Sequence, residues 1–310
     1  MIEKPPLVAI VGPTAVGKSA LALALAPRYR GEIVSADSRQ VYRYMDIGTA
    51  KPTTQEKALV PHHLVDIVDP DEPYTLAMYQ QDAYAAIACV HDRGGLPILV
   101  GGTGLYVRAA LGGFAIPGVA PNEAVRSELE EYAREKGPQA LHSRLAAVDP
   151  AAAAKIDPRN VRRVIRALEV YEVTGRRISE LQESQPPPYR VLTMGLTVER
   201  SELYRRIDVR VDWMIENGLV EETRSLIERG YGCDLPSMSS LGYRQICLYL
   251  NGEINLPEAV DLIKTRTHRF ARQQYTWFRL DDPSIAWLTA DERASGQAGG
   301  LVERFLEHEG

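Results

Sequence analysis

The chain has 310 residues, 45% of them hydrophobic and 25% charged, with a formal net charge of −5. That length suits one large domain or a core with an insertion, because single hydrophobic cores stop growing at about 250 to 300 residues, and the composition excludes disordered and collagen-like chains. No run approaches the roughly 18 apolar residues of a membrane span, and the acidic balance excludes a surface coated in basic residues, so any nucleic-acid contact has to come from local patches.

Met1 to Pro6 carry charge and two prolines, which is not the pattern of a signal peptide. Leu7 to Val11 is a β-branched run bounded by Pro6 and Gly12, and Ala20 to Ala26 reads as helix. Glu32 to Ser35 repeats the strand signal, Tyr79 to His91 is helix-like, and Pro97 to Val100 is a third strand ending at Gly101-Gly102. Strands alternating with helices predict a parallel sheet, hence an α/β fold. From about Ala120 the texture turns charged and alanine-rich, with helices expected over Glu123 to Glu135 and Arg159 to Val173, closing at Pro186-Pro187-Pro188. The expected organisation is a discontinuous core, 1–117 and 190–310, around a mainly helical insertion, 118–189. Arg190 to Val198 reads as a returning strand, followed by helices at Ser201 to Asn217, Val220 to Arg229 and Pro257 to Trp277.

Gly12-Pro13-Thr14-Ala15-Val16-Gly17-Lys18-Ser19 matches the phosphate-loop pattern G-x-x-x-x-G-K-[ST] in its required place between a strand and a helix. Glycines let the backbone wrap an anion, successive N–H groups and the helix N-terminus donate to it, and Lys18 adds a point charge. Ser19 can ligate magnesium, the one metal the sequence implies. Such a loop holds a polyphosphate without specifying a reaction. Asp37 follows the second strand, at the carboxyl edge where open α/β sheets place ligands. It can bind magnesium, take a proton from an incoming nucleophile, or merely cap a helix. Thr103 follows the third strand at the same edge, where flanking glycines let a substrate approach its hydroxyl; a turn threonine is the plainer alternative.

Taken in order and spacing, the phosphate loop, Asp37-Ser38-Arg39-Gln40, Met45-Asp46-Ile47-Gly48-Thr49-Ala50-Lys51-Pro52, His62-His63-Leu64, Gly101 to Tyr106 and Gly242-Tyr243-Arg244-Gln245 are similar to the tRNA dimethylallyltransferase family. The resemblance spans essentially the whole chain. It implies a P-loop NTPase-like sheet and transfer of an allyl group from dimethylallyl diphosphate to the N6 amine of the adenosine 3′-adjacent to the tRNA anticodon. Eukaryotic relatives often add a C-terminal zinc finger that this chain lacks, so the bacterial form is the nearer match. By the same resemblance Asp37 is the general base, Thr103 contacts the leaving diphosphate or reacting centre, and the loop holds the donor instead of a nucleotide. Arg210 stands where the family has a diphosphate-binding arginine. Asp37, Ser38, Arg39, Gln40 and Thr103 are expected to meet the tRNA, and Arg126 matches a family RNA contact, an exposed helix residue being the alternative.

If Arg159 to Val173 is helical, Arg159, Arg162, Arg163 and Arg166 form one basic stripe suited to the phosphates of an anticodon stem, or a solvated face. A second basic run, Lys264, Arg266, His268, Arg269 and Arg272, precedes aromatics; Phe270 and Trp277 follow helical spacing with Leu262 and are expected in the core. His62 and His63 are adjacent in a strand and point to opposite faces, so they are expected to be structural. Cys89, Cys233 and Cys247 have no C-x-x-C pair, so isolated thiols in a reducing cytosol are expected, with the chain a cytoplasmic monomer. Two rivals share the loop: an adenylate isopentenyltransferase acting on a free nucleotide, which the basic insertion argues against, and a small-molecule kinase passing phosphate from ATP.

Overall fold

In chain order the elements of the computed structural model are β1 (Pro6–Val11), α1 (Lys18–Leu25), β2 (Glu32–Ser35), α2 (Thr54–Leu59), β3 (His62–His63), α3 (Leu76–Asp92), β4 (Pro97–Val100) and α4 (Gly104–Leu111). There follow α5 (Glu123–Lys136), α6 (Pro138–Val148), α7 (Pro150–Ala153), α8 (Val161–Thr174) and α9 (Ile178–Leu181). The chain then returns through β5 (Arg190–Thr197), α10 (Arg200–Glu216), α11 (Leu219–Glu228), α12 (Tyr243–Leu250), α13 (Leu256–Gln274), β6 (Ile285–Thr289) and α14 (Ala294–Glu307). The structure describes residues 4–112, 116–181 and 189–307. The proline cluster Pro186-Pro187-Pro188 and the first three residues, both invoked above, lie outside them.

Two compact units result: Met1–Leu111 with Pro188–Gly310, and Gly112–Pro187. The first is an α/β unit with one six-stranded sheet in the order β3-β2-β4-β1-β5-β6, every pairing parallel. β1 lies at its centre, and Leu7 to Val11 have no exposed surface. That is why a central parallel strand, covered on both faces, reads as a continuous apolar run. The strand expected at His62 and His63 is β3, whereas β6 was not anticipated. β3 is two residues long, and β6 is a short apolar run that periodicity cannot separate from helix. No helix among the described residues is long and apolar enough to cross a membrane.

The second unit packs α5 to α9 around Leu129, Leu141, Leu145, Val164 and Leu168. Two expectations about it change. The helix expected from Arg159 begins at Val161, because Asn160 caps it, its side chain accepting the Arg163 N–H. Arg159 therefore stands before the helix, bound to Asp157 at 2.7 Å, and the four arginines do not form one stripe.

The cysteine reading is also corrected. Cys233 and Cys247, 14 residues apart, form a disulfide with Cα atoms 6.0 Å apart, leaving Cys89 as the exposed free thiol. Spacing could not reveal the pair, because it depends on how α12 folds back on the loop after α11. The thiol argument for a reducing compartment thereby loses its premise.

Candidate active site

Three chain crossings at the carboxyl edge of the first unit's sheet build the site. After β1 the backbone turns at Gly12, whose φ is +137° and where a Cβ would lie 2.5 Å from the Leu196 carbonyl oxygen. The loop then enters α1 through Gly17, in the left-handed region at φ 108°, with no side chain capping the helix. An uncapped N-terminus leaves its N–H groups free to meet an anion. After β2 comes Asp37, and after β4 comes Gly101, where a Cβ would stand 2.1 Å from the Ala36 carbonyl oxygen. Only glycine lets those two crossings lie so close.

The result is a cavity of about 950 Å³. Its walls include Thr14, Ala15, Gly17, Lys18 and Ser19 of the loop, Asp37, Ser38, Arg39 and Gln40 after β2, Thr103 after β4, and Arg210 on α10. Gly12, Pro13 and Val16 are buried behind the loop. The candidate residues of this unit are thus gathered into one place from segments almost 200 residues apart.

Lys18 donates to the Pro13 carbonyl at 2.7 Å. Its pKa is pulled down to about 8 by desolvation, which the nearby Asp37 carboxylate opposes and the Arg210 guanidinium reinforces. Burial likewise lowers the pKa of Arg210, with Asp37 opposing it. Asp37 caps no helix; its Oδ1 accepts the Arg39 N–H at 2.8 Å, while Oδ2 has no hydrogen bond among the described residues. The Thr103 hydroxyl accepts the Ser38 N–H at 3.1 Å and reaches the Ser38 Oγ at 3.4 Å, coupling the loop after β4 to the residue beside Asp37.

Several residues that shape this site escaped sequence reasoning. Gln274, 4% exposed at the end of α13, accepts the Thr14 N–H at 2.8 Å and donates to the Gly102 carbonyl at 2.8 Å. Arg206 donates to the Val16 carbonyl at 3.3 Å and thus holds the phosphate loop from α10. Glu222 accepts the N–H groups of Asp46, Ile47 and Gly48 and, at 2.6 Å, the Tyr243 hydroxyl. It thereby joins two of the segments that carried the family resemblance. Gly48 has no room for a Cβ, which would stand 2.5 Å from the Tyr243 ring.

Phe270 and Trp277 correct an expectation outright. They are 39% and 40% exposed and line the cavity, not the core. The buried face of α13 is instead Ala259, Ile263, Ala271 and Gln274. A stripe facing a cavity has the same helical spacing as one facing a core, and Gln274, on the same stripe as Phe270 and Trp277, was the available sign. His62 also lines the cavity, its Nδ1 bonded to the Val60 carbonyl at 2.7 Å, while His63 contacts Glu32 at 2.6 Å.

The remaining candidates belong to the second unit. Arg126 and Arg166 both pair with Glu169, which has no exposed surface, at 2.8 and 2.6 Å. The Asn122 N–H adds a third bond to that carboxylate at 2.7 Å. Desolvation alone would raise the Glu169 pKa; these donors outweigh it and hold the group below its ordinary value. Arg162 and Arg163 are exposed and have no ion pair among the described residues. Among those residues, too, no cluster of three or more His, Cys, Asp or Glu is arranged to hold a metal.

Comparison with known proteins bears on this geometry. The family profile described as IPP transferase matches residues 40–281, and one described as isopentenyl transferase matches residues 5–60. A tRNA dimethylallyltransferase of a Roseiflexus species is 56% identical over 303 residues, covering 97% of this chain and 99% of that protein. One from Thermomicrobium roseum is 56% identical across 100% of this chain and 94% of its own length. The crystal structure of a Bacillus halodurans tRNA isopentenylpyrophosphate transferase is 45% identical with a TM-score of 0.72, covering 99% of this chain and 100% of that one. A eukaryotic dimethylallyltransferase, crystallised acting on tRNA, is 28% identical with a TM-score of 0.82, over 99% of this chain and 80% of that one.

Proposed function

Because the chain belongs to the IPP transferase family, we propose that it moves a dimethylallyl group from dimethylallyl diphosphate to the N6 amine of the adenosine 3′-adjacent to the anticodon of tRNA, releasing diphosphate. The observation that carries this reading is the convergence of the phosphate loop, Lys18, Arg210 and Asp37 on a single cavity. The close relatives named for tRNA give the acceptor, and favour it over a free nucleotide.

Breaking the allylic C1–O bond sends its electron pair to the diphosphate and builds positive charge on carbon. Lys18, Arg210 and the N–H groups at the start of α1 face the cavity where that negative charge would grow, and such preorganised donors stabilise it. The adenine nitrogen forms the new bond to C1 and must shed a proton. Asp37 takes it, Oδ2 being the oxygen without a protein donor. Thr103, tied to Ser38, sits against the reacting centre or the departing diphosphate. Ser19, exposed in the cavity wall, fits a magnesium ion carried largely by the donor's own oxygens, the usual mode for phosphate-bound magnesium. When bound, that ion would neutralise charge on the leaving group. Arg162 and Arg163, exposed on α8 and without an ion pair among the described residues, are assigned to the RNA backbone. Arg126, Arg159 and Arg166 are assigned to hold their own unit together first. The enzyme works in the cytoplasm, where its tRNA is.

Incubation with labelled dimethylallyl diphosphate, magnesium and unmodified tRNA, followed by nucleoside mass spectrometry, is expected to yield N6-dimethylallyladenosine next to the anticodon. Adenosine monophosphate offered instead of tRNA is expected to stay unmodified. Phosphate transfer from ATP without allyl transfer would overturn the reading.

A further inference from the structure

A carboxamide is a donor and an acceptor in one rigid plane, and Gln274 uses both ends inside the protein. Its orientation is forced, because Gly102 offers it a carbonyl oxygen and Thr14 an N–H. Thr14 lies in the phosphate loop, 260 residues away in the chain, and Gly102 immediately precedes Thr103. The contact is close: a Cβ on Gly102 would lie 2.3 Å from the Gln274 Nε2 and 3.2 Å from the Gly12 carbonyl oxygen. One turn on, the Trp277 ring presses on Gly104 so tightly that a Cβ there would lie 2.2 Å from it. The end of α13 and the turn that follows it are thus wedged between the loop that follows β1 and the loop that follows β4.

Resting on the reading above, we propose that Gln274 is a positioning residue for the transfer: its amide sets the spacing between the phosphate loop, which holds the donor, and the Thr103–Ser38–Asp37 edge, which faces the acceptor amine. Neither loop has another side chain joining it to the other among the described residues. The reaction needs C1 of the donor and the amine nitrogen in line, and a displacement of about 1 Å can cost on the order of 100-fold in rate. Each substrate still finds its own half of the site when the amide is lost, so binding survives while the chemical step slows. The Thr14 N–H is moreover committed to protein, so the loop presents its anion with the donors from Ala15 onward.

Two substitutions test this. Gln274→Leu removes both bonds and is expected to lower the single-turnover rate about 100-fold while the KM values for donor and tRNA change less than about threefold. Gln274→Glu keeps the size and places a titratable group between the same partners. Protonated, its O–H donates to Gly102 and its carbonyl accepts from Thr14; ionised, it sets a negative oxygen against the Gly102 carbonyl. Burial raises such a carboxyl's pKa, so the Gln274→Glu rate, taken as a ratio to wild type at each pH, is expected to recover as pH falls from about 8 to about 6. A filler of space would give no such pH-dependent ratio. Should Gln274→Leu fail to fold, the pH ratio within folded Gln274→Glu carries the test alone. A wild-type rate in either variant, a ratio flat with pH, or a KM rise at unchanged rate would overturn the inference. Absence of allyl transfer by the wild-type enzyme would instead overturn the proposed function.

Discussion

Two cation clusters, one in each unit, are set in opposite ways. In the second, Arg126 and Arg166 close on a fully buried carboxylate, Glu169, which also takes a backbone N–H. In the first, Lys18 and Arg210 face a cavity and are destabilised as cations, with Asp37 near enough to be felt by both but ion-paired with neither. The Glu169 cluster is complete without any ligand. The Lys18 and Arg210 site is electrostatically unfinished, and a cation kept uncomfortable in a concave wall is the mark of a site awaiting an anion. Charge count alone would not separate these cases, since the whole chain is acidic.

The comparison breaks first, and furthest, at Asp37. Asp37→Asn keeps shape but cannot accept a proton, and is expected to lose at least about 100-fold in single-turnover rate at saturating tRNA, donor and magnesium. If the loss appears only below saturating magnesium, the carboxylate serves the metal and not the proton. Arg210→Ala comes next, with about 100-fold expected from withdrawing one preorganised charge from the leaving group; tRNA affinity measured by filter binding should hold.

On the other side of the comparison, Glu169→Gln strands two guanidinium groups. Since both are about a third exposed, the cost belongs at the lower end of the range for broken buried pairs, about 3 kcal/mol, read from denaturant unfolding. Because the folded pKa of Glu169 is depressed, its contribution is present above the unfolded carboxylate pKa and is lost as pH falls through the folded value. The wild type should therefore lose more stability than Glu169→Gln on acidification.

A smaller effect sharpens the view of Lys18. With its pKa near 8 in the free protein, the ammonium discharges above that pH, and donor affinity should fall about tenfold between pH 7 and pH 9. Lys18→Ala should bind donor weakly at both, and an equal slope in the two proteins would show that some other group titrates. The smallest effect is expected from Arg162→Ala with Arg163→Ala. Two lost phosphate contacts should flatten the slope of log affinity against log salt by roughly 1.5 to 2, and an unchanged slope would return that face to solvent.

What the sequence disclosed about this molecule was local. β1, β2 and β4 could be read because β-branched runs bounded by proline and glycine announce buried strands, and the phosphate loop because its pattern sits between strand and helix. Asp37 and Thr103 followed from the rule that ligands lie at the carboxyl edge of a parallel sheet. What stayed illegible depends on distant parts meeting. The Gln274 amide, the Arg206 contact with Val16 and the Cys233–Cys247 bond have no signature in spacing. Phe270 and Trp277 were assigned to the wrong side of α13 because periodicity locates a face without saying what it faces. In the second unit, a difference of two residues in where α8 begins was enough to dissolve an apparent stripe of arginines.

Glu222 carries a consequence for recombining this chain with others. One carboxylate receives three successive N–H groups from Asp46, Ile47 and Gly48, and a hydroxyl from Tyr243, whose ring fills the space a side chain at position 48 would need. Three stretches of chain are thus fitted to one another at a single atom group. A change in one of them therefore disturbs the fit of the other two, and a chimera spliced between residues 48 and 222 keeps this join only if both parents carry all three segments.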